Sequence, residues 1–187
     1  SLRQAADRNA LAARWDALAK PLRSEPRVVA AYADRARALG WDDAAPQALE
    51  HALSTRWDEG LATRYGALAT ARPEAGAAQL ERWLQAHPRS PALLLALAAI
   101  ARAQGDRPRA ESLLHRALDE GAGAPAWEEL GHGYSQAGDE SRARLAYANA
   151  LRAARGEPVV AIPATAGAPE PITLEARDAH GVPRLRE

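Results

Sequence analysis

The chain has 187 residues, enough for one domain or a short repeat array, and it balances 24 basic residues against 24 acidic ones. Zero net charge argues against the clustered, uncompensated Lys and Arg of a nucleic-acid footprint, and the lack of cysteine excludes disulfides and thiolate metal sites. Nearly half of the residues are apolar, much of that being Ala with Leu, Trp and Tyr as large anchors, which suits closely approaching helices rather than a β-sandwich.

The longest apolar run, Ala92 to Ala101, is about half of the roughly 20 residues that a membrane span needs. The chain begins at Ser1 and contains no Met, so it reads as a fragment or a processed form, and any targeting or anchoring segment would be expected upstream of it.

Residues 1–22 open the chain with a helix over 2–20, its face carrying Leu11, Trp15 and Leu18, expected to be the tail of an upstream repeat. About four helix-pair repeats follow over 23–156. In the first, 26–56, Pro26 suits a first helical turn, and Val29, Tyr32, Ala33 and Ala36 form the buried stripe. Gly40 makes its turn, Pro46 falls in the first turn of the second helix, and Ala45, Leu49 and Ala52 form that helix's stripe.

The second repeat, 57–90, is degenerate. Trp57, Leu61, Tyr65 and Leu68 are expected in one helix and Leu80, Trp83 and Leu84 in the next, with Arg72 to Gly76 as the turn.

The third and fourth repeats, 91–123 and 124–155, align without gaps. Gly105-Asp106, Ala110 and Ala117 recur 33 positions later as Gly138-Asp139, Ala143 and Ala150. Trp127, Leu130 and Tyr134 share a helical stripe, while Gly131 and Ala143 are small where helices cross. Gly138 suits a left-handed helix end, and Asp139 an N-cap for the next helix. This spacing resembles the tetratricopeptide pattern, whose period is about 34. The expected fold is therefore all-α: a right-handed superhelical solenoid of tetratricopeptide (TPR) helix pairs with an irregular C-terminal tail.

That tail, 157–187, is rich in Pro, Ala, Gly and Thr and reads as extended or disordered. Two apolar clusters interrupt it, Val159-Val160-Ala161-Ile162 and Ile172-Thr173-Leu174. Composition favours a flexible tail; the alternative is that one cluster docks as an extended peptide on the last repeat or in the groove.

No phosphate loop, nucleophile elbow or metal-spaced His pair is present, so no catalytic residues and no metal ligands are assigned. The expected functional surface is the concave face that solenoid curvature creates. Counting from the repeat starts places Arg27, Asp34, Arg37, Arg102, Glu128, His132 and Gln136 there. Its arginines suit an acidic peptide or a carboxylate-bearing small molecule. Glu128 and His132 lie one turn apart, either as an ordinary solvated contact or as a ligand-orienting pair. The Lys- and Asn-rich clamp of chaperone-binding tetratricopeptide domains is missing, since Ala30, Leu95 and Ala99 fill the matching positions.

An ordered set of motifs is more specific. Trp15, Leu18, Pro21-Leu22-Arg23 and Pro26 are followed by Ala31-Tyr32-Ala33, Gly40, Ala48-Leu49-Glu50 and Leu53. Then come Trp57-Asp58, Leu61, Tyr65-Gly66, Glu81-Arg82-Trp83-Leu84, His87-Pro88 and Leu93-Leu94-Leu95. Over roughly residues 11–155 this order resembles the C-terminal part of the HemY proteins, which are linked to late haem biosynthesis in proteobacteria. The two N-terminal transmembrane helices of that family are not in this chain.

The resemblance implies a non-catalytic scaffold for protein partners, among them late haem-pathway enzymes, at the bacterial inner membrane. The domain would face the cytoplasm, with the periplasm as the alternative, and would touch the membrane only through the missing N-terminal segments. The family supplies no catalytic residues and no required cofactor. Two alternatives stand beside it: a haem or porphyrin carrier in which Trp, Tyr, His and Arg hold a propionate-bearing ring, and a peptide-binding adaptor unrelated to haem.

Overall fold

The structure, a computed structural model, describes residues 1–41 and 43–163. Among these lie nine helices: α1 (Arg8–Asp16), α2 (Pro26–Ala38), α3 (Ala44–Thr55), α4 (Glu59–Ala71), α5 (Pro73–Ala86), α6 (Pro91–Ala103), α7 (Arg107–Asp119), α8 (Ala124–Gln136) and α9 (Glu140–Ala154). Short 3₁₀ turns at Leu2–Gln4 and Lys20–Ser24 flank α1, and no strand occurs among the described residues.

The chain punctuates its own helices. Asp7, Asp58, Ser90, Asp106 and Asp139 each accept a backbone N–H three residues on, satisfying a donor that the helix itself cannot. At the other ends, Gly105 and Gly138 adopt φ of +81° and +76°. The next N–H then returns to a carbonyl one turn back, Asp106 to Ala101 and Asp139 to Tyr134, both at 2.9 Å. Both turns lie where the 33-residue repeat puts them.

Helices pair as α2/α3, α4/α5, α6/α7 and α8/α9. The first helices of successive pairs pack on one another, whereas the second helices pack chiefly on first helices. The array therefore bends with α2, α4, α6 and α8 on its inner surface. Behind them runs one continuous core, with Leu49, Leu61, Leu80, Leu93, Leu94 and Leu130 all but fully buried.

Small residues set the distances. A Cβ on Gly66 would stand 2.7 Å from the Ala96 Cβ across α4 and α6, and one on Gly76 would stand 2.4 Å from the Ala69 Cβ across α4 and α5. At Gly131 the empty space is filled by the Tyr147 ring, which a Cβ would meet at 2.5 Å.

Polar ties cross between pairs. The hydroxyls of the buried Tyr65 and Tyr134 donate to Glu50 and Glu111 on the preceding second helices, each at 2.7 Å. Burial, then the bonded carboxylate, pushes both hydroxyls well above the usual tyrosine pKa. Glu59 accepts from the Trp57 indole at 2.7 Å, from the Ser90 hydroxyl at 2.9 Å and from the Ala92 N–H at 3.4 Å, joining the start of α4 to the start of α6.

Four local expectations need correction. Trp57 precedes α4 instead of lying in it, because Asp58 is the N-cap; its ring stacks on His87 at 3.8 Å. The turn of the second repeat is Arg72 alone: Pro73 starts α5 at once, and Gly76 is a helix-crossing residue. A continuous helix over 2–20 does not form, because Asp7 starts α1 and the chain leaves it after Asp16. Finally, the cluster at 159–162 docks: Ile162 is half-buried against the core and Val160 is bonded to Asn149. The second cluster, Ile172 to Leu174, lies outside the described residues.

The upstream face of α2 is covered. Ala5 and Leu11 are fully buried, the Arg35 guanidinium donates to the Ala5 carbonyl, and Arg8 donates to the carbonyls of Leu39 and Gly40. No helix of the described residues is long and apolar enough to cross a membrane.

Two stability measurements follow. Gly76→Ala should destabilise by about 1–3 kcal/mol in urea unfolding, because its Cβ meets the Ala69 Cα and Cβ, which cannot swing away. Gly133→Ala, with nothing within 4 Å of the new Cβ, should stabilise by about 0.5–1 kcal/mol through helix propensity. Equal signs would refute the crossing.

The second concerns pH. Unfolded tyrosine ionises near pH ~10 while folded Tyr65 and Tyr134 keep their protons, so the unfolded state binds fewer protons and stability falls as pH rises above ~10. A Tyr65→Phe/Tyr134→Phe double variant should show a shallower alkaline loss in melts between pH ~9 and ~11.5. An unchanged slope would contradict the two ties.

Candidate functional site

Each inner helix leaves one exposed or half-exposed stripe at helical spacing. On α2 it runs Arg27, Ala30, Asp34, Arg37; on α4, Gly60, Thr63, Arg64, Ala67; on α6, Leu95, Ala99, Arg102; on α8, Glu128, His132, Gln136. All seven candidate residues fall on these stripes, but the structure does not gather them into one cluster.

Two of their charges are engaged, and Arg27, Arg37 and Glu128 stand exposed. Asp34 pairs with Arg64 of α4 at 3.4 Å. Arg102, expected to face a ligand, donates to Glu129 of α8 at 3.1 Å, with both side chains mostly buried. Such half-screened pairs contribute about 0–1 kcal/mol each, so their larger effect is to fix neighbouring helices in register. The Gln136 carbonyl accepts from Arg107 at 3.3 Å.

His132 finds a different partner from the expected one. Its Nδ1 lies 3.0 Å from the Tyr147 hydroxyl, and the two rings meet edge to face at 5.6 Å, while Glu128 stands exposed a turn away. The same tyrosine that fills the space over Gly131 thereby orients the imidazole. Arg27 is exposed at the first turn of α2.

Between these charges the middle of the inner face holds small or uncharged residues: Thr63 and Ala67 on α4, Leu95 and Ala99 on α6. Even the Thr63 hydroxyl is turned back on its own helix, donating to the Glu59 carbonyl at 2.8 Å. Such a floor admits an apolar or backbone-presenting segment more readily than a highly charged one.

Two hollows lie in the N-terminal half of the array. A cleft of ≈ 370 Å³ between the first and second pairs is lined by Arg37, Trp41, Glu50, Tyr65, Leu68 and Gly76. A larger one of ≈ 690 Å³ lies at the N-terminal end, with Trp15, Tyr32 and Trp41 as walls and Lys20, Arg23 and His51 around them. Trp15 stacks on Tyr32 at 4.1 Å, and Trp41 meets Tyr32 edge-on at 6.5 Å. Burial, then the charge of Asp16, raises the Tyr32 hydroxyl above its ordinary pKa. Among the described residues, no group of three or more His, Cys, Asp or Glu side chains is placed to hold a metal ion.

The partners Arg64 and Glu129 were missed by reading each repeat alone. Their signal is opposite charge at a separation somewhat below one repeat, since inner-helix pairs link residues 30 and 27 positions apart. On the outer side Arg109 pairs with Glu81 across 28 positions.

The tetratricopeptide repeat family model matches residues 93–125, the stretch covering α6 and α7. A search of curated proteins gives no match. Among solved structures, MamA MSR-1 C2 superposes with a TM-score of 0.53 at 14% identity, covering 79% of this chain and 87% of that one. At that identity the likeness speaks for the fold alone. Repeat spacing, paired helices, the family match and the structural neighbour agree on it: the chain is an all-α solenoid of tetratricopeptide-type helix pairs.

Proposed function

We propose that this chain is a non-catalytic scaffold that holds a protein partner along its inner face, and that it serves late haem biosynthesis at a bacterial inner membrane. The observation that carries the first part is the inner face itself. Four helices present a continuous surface whose centre holds small, uncharged residues, with Asp34–Arg64 and Arg102–Glu129 paired between neighbouring helices and Arg27, Arg37 and Glu128 exposed on the end helices α2 and α8. A groove of this kind accepts a partner segment by shape and by its apolar positions. The second part rests on the resemblance of residues 11–155 to HemY proteins.

Purified late haem-pathway enzymes should be titrated one by one against the full chain by biolayer interferometry. At least one is expected to bind saturably. A Thr63→Glu/Ala67→Glu double variant, at exposed positions of α4, should weaken that binding at least about tenfold, since an unpaired charge must then be buried under the partner. Glu140→Ala, on the exposed start of α9, should leave it unchanged. Absence of binding by every enzyme would remove the haem-pathway reading; binding indifferent to the α4 variant would remove the inner face.

The N-terminal hollow favours a second reading, a tetrapyrrole carrier. Its three aromatic side chains and its Lys20 and Arg23 suit a flat ring bearing carboxylates, and His51 is the imidazole beside it. His132 belongs to the opposite end of the array, bonded to Tyr147. Haem titrated into the chain should then give a shifted Soret band that weakens in Trp15→Ala and changes position in His51→Ala. A chain that leaves the free-haem spectrum unaltered is no carrier.

A further inference from the structure

We infer that α9 carries a binding site for an extended peptide, read through the peptide's main chain by Asn149. This site lies away from the inner face and does not depend on the scaffold reading.

Asn149 is 1% exposed, although it lies on the last helix of the array. A buried amide left unbonded costs on the order of 1–3 kcal/mol, so its presence there calls for a partner. Both of its polar atoms find one in the same residue. The Nδ2 group donates to the Val160 carbonyl at 2.7 Å, and Oδ1 accepts from the Val160 N–H at 2.8 Å. Residues exchanging both bonds in this way form the hydrogen-bonded pair of an antiparallel ladder, so the side chain acts as a one-residue strand.

What is recognised is backbone. The Val159 and Val160 side chains remain 46% and 42% exposed, so neither supplies the anchor. Ile162 does, half-buried against the core two residues beyond the clasp. Gly156, at φ +70°, ends α9 and reverses the chain so that residues 157–163 run back along the helix. Pro158 and Pro163 hold the flanks of that segment extended.

The ligand class follows from this geometry. It is an extended segment with a free N–H at the clasped residue, which excludes Pro there, and a branched apolar side chain two residues on. The chain's own segment is the resident occupant. One bidentate bond pair and one half-buried isoleucine make a small contact, so exchange with a segment of the same chemistry is permitted.

The test uses the full chain carrying Val160→Pro, which deletes the N–H that Asn149 accepts and leaves every helix untouched. The probe is a fluorescein-labelled peptide with the sequence of residues 157–163, followed by anisotropy. Saturable binding to Val160→Pro is expected, with binding to the unsubstituted chain at least about tenfold weaker because its site is filled. The Asn149→Ala/Val160→Pro double variant should bind none. No saturable binding to Val160→Pro, or equal binding to the double variant, overturns the site. Hydrogen exchange on the unsubstituted chain gives a second reading that needs no variant. There the Val160 amide should exchange at least about tenfold more slowly than those of Val159 and Ala161, and equal rates overturn the clasp.

Discussion

The rest of this structure depends on how closely its inner helices approach. Gly66 lets α4 settle on Ala96 of α6, and Gly76 lets α5 settle on Ala69 of α4. Gly131 does the same work differently, receiving the Tyr147 ring into the space where a Cβ would be. Because the first helices touch while the second helices are held apart, the array curves, and its concave surface exists only through that contact. Charged side chains on the closely spaced inner helices come within reach of one another, and Asp34–Arg64 and Arg102–Glu129 are the outcome. Packing thus pairs part of the charge of the groove and leaves Arg27, Arg37 and Glu128 exposed on the end helices.

A stack of similar units has a register problem, since an apolar stripe alone tolerates sliding. The Tyr65–Glu50 and Tyr134–Glu111 bonds and the three acceptances by Glu59 are directional, and the two tyrosines are buried. A slip of one helical step would leave such groups unbonded at about 1–3 kcal/mol each. The two ends of the stack raise the complementary problem of covering the last face. Among the described residues, the face before α2 and the face of α9 are each covered with the help of a side chain that grips main chain. Arg35 and Arg8 do so at the N-terminal end, and Asn149 does so at the C-terminal end.

Features that repeat were legible in the sequence. The turns at Gly105-Asp106 and Gly138-Asp139, the stripe Val29, Tyr32, Ala33 and Ala36, and the small residue at Gly131 follow from helical periodicity and capping chemistry. Features that arise where the repeat breaks were not. The second repeat is shorter at its turn, so Pro73 and Gly76 read as turn residues although Pro suits a first helical position and Gly a close crossing. The candidate stripe residues could be counted out from the repeat starts, but their partners could not, because a partner one repeat away is invisible to any pattern confined to one unit. Asn149 was invisible for a further reason: a polar residue on the last helix looks like solvent-facing surface until the chain that follows it is seen to fold back.

On the readings proposed above, these two kinds of surface would recognise their partners by different chemistry. The inner face pairs Asp34 with Arg64 and Arg102 with Glu129, so what its centre offers a partner is curvature and the uncharged Thr63, Ala67, Leu95 and Ala99. Affinity there must come from burying apolar area, at roughly 25 cal/mol per Å², and selectivity from shape. The Asn149 clasp is the reverse: little area, but two directional bonds to one peptide unit. A broad shape-reading groove tolerates sequence variation in its partner, whereas a main-chain clasp tolerates variation in side chains but not the loss of a single N–H. A solenoid carrying both can therefore change what it holds at one surface without altering the other.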